Sequence, residues 1–397
     1  MTMMKSSNTE WLGDIPAEWD VAQIGNYYEL RNEKVSDYDF EPLSVTMKGI
    51  VPQLATAAKS DDHSNRKLVK KGDFVINSRS DRRGSCGISP LDGSVSLINT
   101  VMEPRGEMNP QYYNWLFHTE QFADEFYKWG HGIVDDLWTT RWQEMKKILI
   151  VAPSPDEQQA IADYLDETCS KIDEIIAEAK ASIDEYKELK QSVIFEAVTK
   201  GLDKNVEFID SGDEWLGKYP QSYNIGQLSM LSNIVRGGSP RPAGDPRYYG
   251  GNISFMRIAD ITKDDNIYVN SCENTITEEG LTRTRMIPPN TLLLTNSGAT
   301  LGVPKINTFE TAFNDGIAAF LDLDERLNIV YVYFFLKART SYFLECASMG
   351  MGQPNLNTDI IGRTKIVFPT LVEQQKVISY LEDRCGKLNS LISEKES

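Results

Sequence analysis

The stretch VAPSPDEQQAIADYLDETCSKIDEIIAE, residues 151–178, returns in altered form as VFPTLVEQQKVISYLEDRCGKLNSLISE at 367–394. The two stretches align without a gap and share a Glu-Gln-Gln triplet, a Tyr-Leu pair and a cysteine at the same spacing. A shorter phrase, EWLGDIP at 10–16, likewise recurs as EWLGKYP at 214–220. Two phrases that recur in the same order predict two copies of one folding unit.

The longer phrase has the pattern of a helix start in both copies. Ser154-Pro155-Asp156-Glu157 is a capping box with proline at the first helical position, and Thr370 and Glu373 repeat its spacing. One apolar stripe follows at helical spacing in the first copy, formed by Ile161, Leu165, Ile172, Ile176, Ile183, Leu189 and Val193. Gly201 is the next helix breaker, so a helix of about 70 Å is expected.

A helix this long with so narrow an apolar stripe needs a partner helix. The second copy supplies one, with Val377, Leu381, Leu388, Leu391 and Ile392 at the same kind of spacing. The segment from Asp156 to Lys200 contains twelve acidic and five basic residues, which is a large share of the net charge of −17 of the whole chain. The acidity is therefore concentrated on the helix, where it indicates a solvated coiled-coil face or a surface for docking proteins.

The segments between the repeated phrases also correspond. GDFVINSRSDRRGSCGI (72–88) and NTLLLTNSGATLGVPKI (290–306) each read as an apolar strand, an Asn-Ser turn and a glycine-rich loop. GHG at 130–132 matches GMG at 350–352, and a basic-apolar strand follows each. Each copy thus predicts a globular part followed by a helix.

Composition excludes several classes of protein. Hydrophobic residues make up 41% and charged residues 25% of the 397 residues, as in ordinary globular proteins. No apolar run long enough for a membrane span or a signal peptide is seen. Five cysteines without a C-x-x-C pair argue against disulfide frameworks and zinc ribbons. A reduced, cytoplasmic location is expected.

Catalytic motifs are also missing from the sequence. It contains no Asn/Asp-Pro-Pro-aromatic loop of amino-methyltransferases, no G-x-G-x-x-G loop and no phosphate-binding P-loop. Its three histidines, His63, His118 and His131, do not have metal-ligand spacing. The Glu-x-Lys triplets at 185–187 and 188–190 lie within the predicted helix, where ion pairing explains them. We therefore expect no enzyme activity, no bound cofactor and no metal.

The order and duplication of these motifs resemble the specificity subunits of type I restriction–modification systems. The resemblance rests on EWLGDIPAEW, VAPSPDEQQAIADYLD, FEAVTKGL, the second EWLG, LLLTNSGATLG, GMGQPNLN and IVFPTLVEQQKVISYL, which together span both copies. It implies a mixed α/β fold with two similar target recognition domains in a pseudo-twofold arrangement. Long helices would join them and pair as an antiparallel coiled-coil spacer.

The resemblance implies four segments: a first recognition domain (1–153), a central spacer helix (154–201), a second recognition domain (202–369) and a distal helix (370–397). Each domain would read one half of a split, asymmetric double-stranded DNA target. The helices would set the spacing and dock two modification (methyltransferase) subunits, and restriction subunits would join them. S-adenosylmethionine, ATP and Mg²⁺ would be bound by those partner subunits.

The chain departs from this pattern in one respect. The second helix is shorter than the first, and the counterpart of residues 181–202 is largely missing from the second copy. Part of the apolar stripe would then stay uncovered. Self-association through that stripe is therefore expected.

Candidate DNA-binding residues are Arg, Lys, Asn, Ser, Thr and Gln side chains near strand ends and glycine-rich turns, because these types reach bases and phosphates. In the first domain they are Lys48, Arg66, Lys67, Asn77, Ser78, Arg79, Arg82, Arg83 and Arg141. In the second they are Arg236, Arg241, Arg247, Arg257, Asn296, Ser297, Thr300, Gln353 and Asn355. The two sets differ at matching places, which predicts two unlike half-sites.

Two other classes of function remain open from the residues alone. A net charge of −17 suits an acidic DNA mimic, although arginines on the candidate loops oppose that reading. A stand-alone DNA methyltransferase or nuclease is the other alternative, and the missing motifs oppose it. Trp11 and Trp215 of the repeated EWLG phrases are expected to anchor each domain to its own core.

Overall fold

A computed structural model describes residues 3–56, 63–132, 138–298, 300–348 and 355–396. The chain forms two compact units: unit 1, Met1–Ile175, and unit 2, Ile176–Ser397. The junction falls inside one continuous helix, Pro155–Lys200. The four-segment division remains a prediction.

Unit 1 contains thirteen strands among the residues described: β1 Met4–Ser6, β2 Asp14–Pro16, β3 Asp20–Gln23, β4 Tyr28–Leu30, β5 Lys34–Val35, β6 Leu43–Thr46, β7 Gly49–Pro52, β8 Arg66–Val69, β9 Phe74–Asn77, β10 Cys86–Ile88, β11 Gly93–Val95, β12 Asn99–Pro104 and β13 Leu149–Ala152. Its helices are α1 Ile24–Tyr27, α2 Pro110–Phe117, α3 Glu120–Lys128, α4 Trp142–Met145 and the first part of α5 Pro155–Lys200, with a 3₁₀ turn at Ser80–Arg82. The main sheet has the order β10-β9-β12-β4, and β11-β8-β5 form a second sheet.

Unit 2 has the strands β14 Phe208–Asp210, β15 Lys218–Pro220, β16 Asn224–Gln227, β17 Asn233–Arg236, β18 Tyr249–Met256, β19 Tyr268–Val269, β20 Thr275–Ile276, β21 Met286–Ile287, β22 Leu292–Thr295, β23 Pro304–Asn307, β24 Thr311–Phe313, β25 Ile317–Leu321 and β26 Lys365–Phe368. Its helices are α6 Leu228–Leu231, α7 Ile258–Thr262, α8 Glu278–Leu281, α9 Ile329–Ser348, α10 Thr358–Arg363 and α11 Leu371–Glu396. The sheet orders are β17-β25-β22-β23-β19 and β20-β18-β24-β21.

The globular parts of the two units begin with the same hairpin and end with the same strand pair. Hairpin β1–β2 pairs Met4 with Pro16, and hairpin β14–β15 pairs Phe208 with Pro220, so each EWLG phrase lies between the strands of a hairpin. Strand β3 then pairs antiparallel with β13, as β16 does with β26. The mixed α/β architecture of two similar units is confirmed.

The tryptophan of each EWLG phrase packs as the sequence predicts. The Trp11 indole donates to the Leu149 carbonyl at 3.2 Å and contacts the Phe122 ring edge-on. Trp215 packs edge-on against Phe335, with the Arg339 guanidinium 4.5 Å from its ring centre. Each phrase therefore anchors the start of its unit to that unit's own core.

The helix boundaries follow the capping signals. The Ser154 hydroxyl accepts a hydrogen bond from the Glu157 amide at 3.3 Å, and Gly201 has the left-handed backbone (φ +72°) that ends a helix. The second box differs, because the Thr370 main-chain carbonyl accepts from the Glu373 amide. The Glu373 carboxylate instead accepts from the Tyr223 hydroxyl at 3.1 Å.

Within unit 2, the last turns of α5 run antiparallel to α11. Lys190 Nζ donates to Asn389 Oδ1 at 2.8 Å, and one turn further along α5 Ile194 lies in the same small cavity as Cys385. Gly201, just after α5, faces the Glu373 carboxylate near the start of α11. The positions rise along α5 as they fall along α11, which confirms the predicted antiparallel pairing for this part of the helix.

The middle of α5 is solvent-exposed. Residues 171–178 are all exposed, including Ile172 (50%), Ile175 (65%) and Ile176 (45%). Their apolar stripe is not covered by the described part of this chain. None of the described helices is both long enough and apolar enough to cross a membrane.

Candidate nucleic-acid interface

The arginine-rich loop of unit 1 leaves the end of β9 and is held by main-chain bonds. Asn77 Oδ1 accepts from the Arg79 amide at 3.1 Å, and Arg79 forms an isolated β-bridge with Thr139. The Ser78 carbonyl accepts from the Thr140 amide at 3.0 Å, next to exposed Arg141 at the start of α4. The fold therefore brings the loop together with the 138–141 segment, two regions that the sequence predicts as DNA contacts.

The loop arginines are paired but solvent-accessible. Arg79 lies 3.2 Å from the Asp81 carboxylate, and Arg83 pairs with Asp124. The Arg82 and Arg83 side chains are 68% and 50% exposed. Exposed ion pairs contribute little to stability, so a phosphate can replace these carboxylates at small cost.

A cleft of about 740 Å³ adjoins this loop. One wall is the hairpin β6–β7, and the other contains Asn77 and the three loop arginines. Lys48 is exposed at the tip of the hairpin. The hairpin reaches this position because Gly49 passes directly over Gly87 of β10, where any Cβ on Gly87 would lie 2.9 Å from the Gly49 Cα.

The two predicted basic residues of β8 are largely internal. Arg66 is 6% exposed, and its guanidinium donates to the Ser94 hydroxyl and carbonyl at 2.8 and 3.1 Å. Lys67 Nζ donates to the Asn99 carbonyl at 2.5 Å, and burial lowers the pKa of its ammonium group. Both residues bond the strands beneath the cleft through these donors, and Arg66 also lines the cleft.

Unit 2 builds the same frame with different side chains. Ser297 forms an isolated β-bridge with Asn355, and the Asn296 carbonyl accepts from the Leu356 amide at 2.8 Å. Asn355 and Thr300 are exposed, whereas Asn296 is 1% exposed and neither of its side-chain polar atoms bonds another described residue. Gln353 lies outside the described residues.

The bridges correct the sequence comparison of the two turns. Arg79 and Ser297 occupy equivalent places, so Ser78 corresponds to Asn296 and Asn77 corresponds to Thr295. The two Asn-Ser pairs are therefore offset by one residue. Ser78, which is buried and bonds the Thr100 hydroxyl at 3.0 Å, belongs to the frame.

Two of the predicted arginines of unit 2 lie near this turn. Arg236 Nε donates to the Asp315 carbonyl, and Gly316 packs between Ser297 and Ile258, the neighbour of Arg257. The Arg257 guanidinium lies 5.7 Å from the centre of the Tyr249 ring. These contacts place Arg236 and Arg257 on the same side of unit 2 as the Ser297 turn.

The other two arginines belong to the preceding loop. The Tyr249 hydroxyl donates to the Pro240 carbonyl at 2.8 Å, which positions the exposed Arg241 beside it. Arg247 bonds Asp245 at 2.7 Å, and these hydrogen bonds hold the pKa of the Asp245 carboxyl below its ordinary value. Basic side chains in unit 2 thus lie in a different place from those of unit 1.

Sequence comparison missed what the Glu-Gln-Gln triplets do. Gln158 and Gln374 are 1% and 0% exposed, and each accepts a main-chain hydrogen bond from its own globular part, from Asn109 at 2.9 Å and from Asn328 at 2.7 Å. A polar triplet at the start of a helix is ordinarily expected to be solvent-exposed. Its repetition in both copies was therefore the only sequence signal for a buried structural role.

Comparison with known proteins shows what the second half of this chain is similar to. Residues 220–396 match the model of the type I restriction modification DNA specificity domain. The second half of the chain therefore contains such a domain, and the resemblance seen in the sequence is confirmed.

Two curated relatives have names of the same class. The MjaIX type I restriction enzyme specificity subunit of Methanocaldococcus jannaschii is 29% identical over 174 residues, which cover 42% of this chain and 40% of the relative. The HindI specificity subunit of Haemophilus influenzae is 22% identical over 217 residues, covering 53% and 45%. The chain thus matches less than half the length of these curated relatives.

Solved structures extend the likeness in fold over both units. A chain from a study of complex assembly and conformational transition of the type I R-M system has a TM-score of 0.73 at 15% identity, covering 96% of this chain and 94% of that chain. The HsdS subunit from Thermoanaerobacter tengcongensis has a TM-score of 0.54 at 16% identity, covering 96% and 92%. At this identity the comparison establishes the fold.

Proposed function

We propose that this chain is the non-catalytic DNA-recognition subunit of a type I restriction–modification complex. One observation carries the proposal: units 1 and 2 repeat the same hairpin, strand pair and bridged turn, yet differ in the side chains that the turn presents. Unit 1 offers Arg79, Arg82 and Arg83, whereas unit 2 offers Ser297 and Thr300 at the corresponding loop. A repeated frame with unlike polar surfaces suits two different half-targets on one DNA molecule.

The partners follow from the same proposal. The exposed, acidic length of α5 is the surface on which two modification subunits dock, and restriction subunits join that complex. Those partner subunits bind S-adenosylmethionine, ATP and Mg²⁺. The complex works in the cytoplasm, where the DNA lies. Among the described residues, no group of three or more His, Cys, Asp or Glu side chains could hold a metal ion.

Methylation mapping tests the proposal directly. The chain is co-expressed with the modification subunit encoded beside it, and a random DNA library is sequenced for methylated sites. We expect one split motif that is methylated only when this chain is present. Methylation that is unchanged without the chain would refute the proposal.

A swap experiment tests the division between the units. Replacing residues 72–88 by the corresponding residues 290–306 should alter one half of the motif and leave the other half and the spacing unchanged. Changes in both halves would contradict the assignment of one half-target to each unit.

A further inference from the structure

Two asparagines face each other across the main sheet of unit 1, at the cleft described above. The register of β9 and β12 pairs Asn77 with Asn99, and both line the cleft together with the loop arginines. Asn77 is half-buried and Asn99 is 5% exposed. Directly opposed residues on one sheet have neighbouring side chains, so these two amides can act on one ligand.

The hydrogen bonds of Asn99 leave its acceptor unused. Asn99 Nδ2 donates to the Ser96 carbonyl at 3.2 Å and lies 3.1 Å from the Ser96 hydroxyl. Because a carbonyl only accepts, the nitrogen must face Ser96, which fixes the orientation of the amide. Asn99 Oδ1 is buried and accepts no hydrogen bond from the described residues.

The neighbouring Asn77 has the opposite end engaged. Its Oδ1 accepts from the Arg79 amide, which leaves Nδ2 as the end that can donate. The pair therefore offers one acceptor and one donor beside a group of cations. A buried acceptor without a protein partner takes its hydrogen bond from water or from a ligand. The position of Asn99 in a cleft lined by the three loop arginines favours a ligand.

The chemistry of the cleft restricts that ligand. Arg79, Arg82 and Arg83 can only donate hydrogen bonds, so they suit phosphates and base acceptors. Asn99 Oδ1 instead requires a donor. In the major groove of DNA, the donors are the exocyclic amino groups of adenine and cytosine.

Unit 2 has no such pair at the equivalent place. Thr295 and Ile317 are paired there in the same register, and both are fully buried. The Thr295 hydroxyl is already used, since it donates to the Thr300 carbonyl at 2.6 Å and accepts from the Val303 amide at 2.9 Å. The amide pair is therefore a difference between two copies whose frame is the same.

We propose that Asn99, assisted by Asn77, is a specificity-determining residue that reads the exocyclic amino group of an adenine or cytosine in the half-target of unit 1. This inference rests on the proposed function, since it presupposes that unit 1 reads DNA. It assigns the base contact to the floor of the cleft, beneath the arginines that hold the backbone.

The first test maps methylation with Asn99→Leu in the complex of the full chain and its modification subunit. One position of one half-target should lose its preference for adenine or cytosine, while the other half and the spacing stay unchanged. Asn114→Leu is the matched control, because Asn114 Oδ1 is also buried without a partner but lies on α2. A motif unchanged by Asn99→Leu overturns the inference, as does relaxation by the control alone.

The second test needs no change in the protein. Target DNA in which one adenine is replaced by purine, or one cytosine by 2-pyrimidinone, lacks a single amino group. At one position the wild-type complex should lose about 5- to 150-fold in affinity. No loss at any adenine or cytosine of that half-target overturns the inference, even if Asn99→Leu fails to fold.

The two proposals fail in different ways. If the wild-type chain directs no methylation to any motif, the proposed function is wrong. If a split motif is found and either test leaves all of its positions unchanged, only the role of Asn99 is wrong. The position that responds also distinguishes adenine from cytosine.

Discussion

Gln374 Oε1 accepts a hydrogen bond from the Asn328 amide at 2.7 Å, although the two residues lie 46 positions apart. The Gln374 Nε2 atom donates to the Arg326 and Pro369 carbonyls at 2.7 and 2.9 Å. One buried side chain thus ties the start of α11 to the start of α9. Gln158 makes the same connection in unit 1, with Asn109 and the Pro153 carbonyl.

Replacing Gln374 by Met should destabilise unit 2. Methionine has a similar volume but leaves one buried amide and two carbonyls without partners. Lost hydrogen bonds of this kind cost about 2 to 4 kcal/mol in total. Chemical denaturation followed by circular dichroism measures the difference in the free energy of unfolding.

Gln375→Met is the matched control, because Gln375 is exposed and lies on the same helix turn. Its stability should change by less than about 0.5 kcal/mol. Equal effects of the two substitutions would show that the buried hydrogen bonds of Gln374 do not hold the helix in place.

A second prediction concerns the ion pairs at Asp265. Its carboxylate pairs with Lys190 of α5 and with Lys337 of α9. Burial by itself would raise the pKa of Asp265, but the two ammonium groups outweigh it and hold that pKa below its ordinary value. The folded pKa is below the unfolded one, so Asp265 stabilises above about pH 4 and this contribution is lost as the pH falls through the folded value.

Asp265→Asn should therefore lower stability at pH 7 by about 1 kcal/mol or less, because the carboxylate is half-exposed. The difference from the wild type should shrink as the pH falls below the ordinary pKa of an aspartate, about 4. Asp383→Asn is the control, since Asp383 pairs with Lys387 on the exposed face of the same helix. A stability difference for Asp265→Asn that grows as the pH falls would contradict this assignment.

Much of the frame could be predicted from the sequence because it depends on local signals and on repetition. Three local signals determine α5: the capping box at Ser154, the helix breaker at Gly201 and the apolar stripe between them. All three can be recognised in the sequence. The duplicated phrases predicted two similar units, since similar sequences in the same order adopt similar folds. The antiparallel helix pair followed from the resemblance.

The candidate site was predicted less well because burial and register depend on the tertiary fold. The cluster 64–71 reads as a basic surface, yet Arg66 points inward since β8 pairs with β11 and β5. Asn99 carries no local signal, because only the register of β9 and β12 places it beside Asn77. The offset of the two Asn-Ser turns likewise required the bridges at Arg79 and Ser297.

A third prediction addresses the exposed arginines of the unit 1 loop. Arg82→Ala with Arg83→Ala should weaken DNA binding. The slope of the logarithm of the binding constant against the logarithm of the salt concentration should become shallower by about 2, if each arginine neutralises one phosphate. Binding of the complex to a target duplex is measured by anisotropy at several salt concentrations. Lys128→Ala is the control, because Lys128 is also exposed in unit 1 but pairs with Glu10 outside the cleft. An unchanged salt slope in the double variant would remove the loop from the interface.

The last prediction follows from the uncovered stripe of α5. Ile172, Ile175 and Ile176 expose about half or more of their side chains, and an apolar patch of this kind favours association when no partner covers it. The isolated chain should therefore gain mass with concentration in light scattering, and Ile172→Lys with Ile176→Lys should remove that dependence. Met230→Lys, at an exposed apolar residue of α6, should leave it unchanged. A wild-type chain that stays monomeric at high concentration would show that the stripe alone does not drive association. Loss of modification-subunit binding in the lysine variant would still identify the stripe as the docking surface.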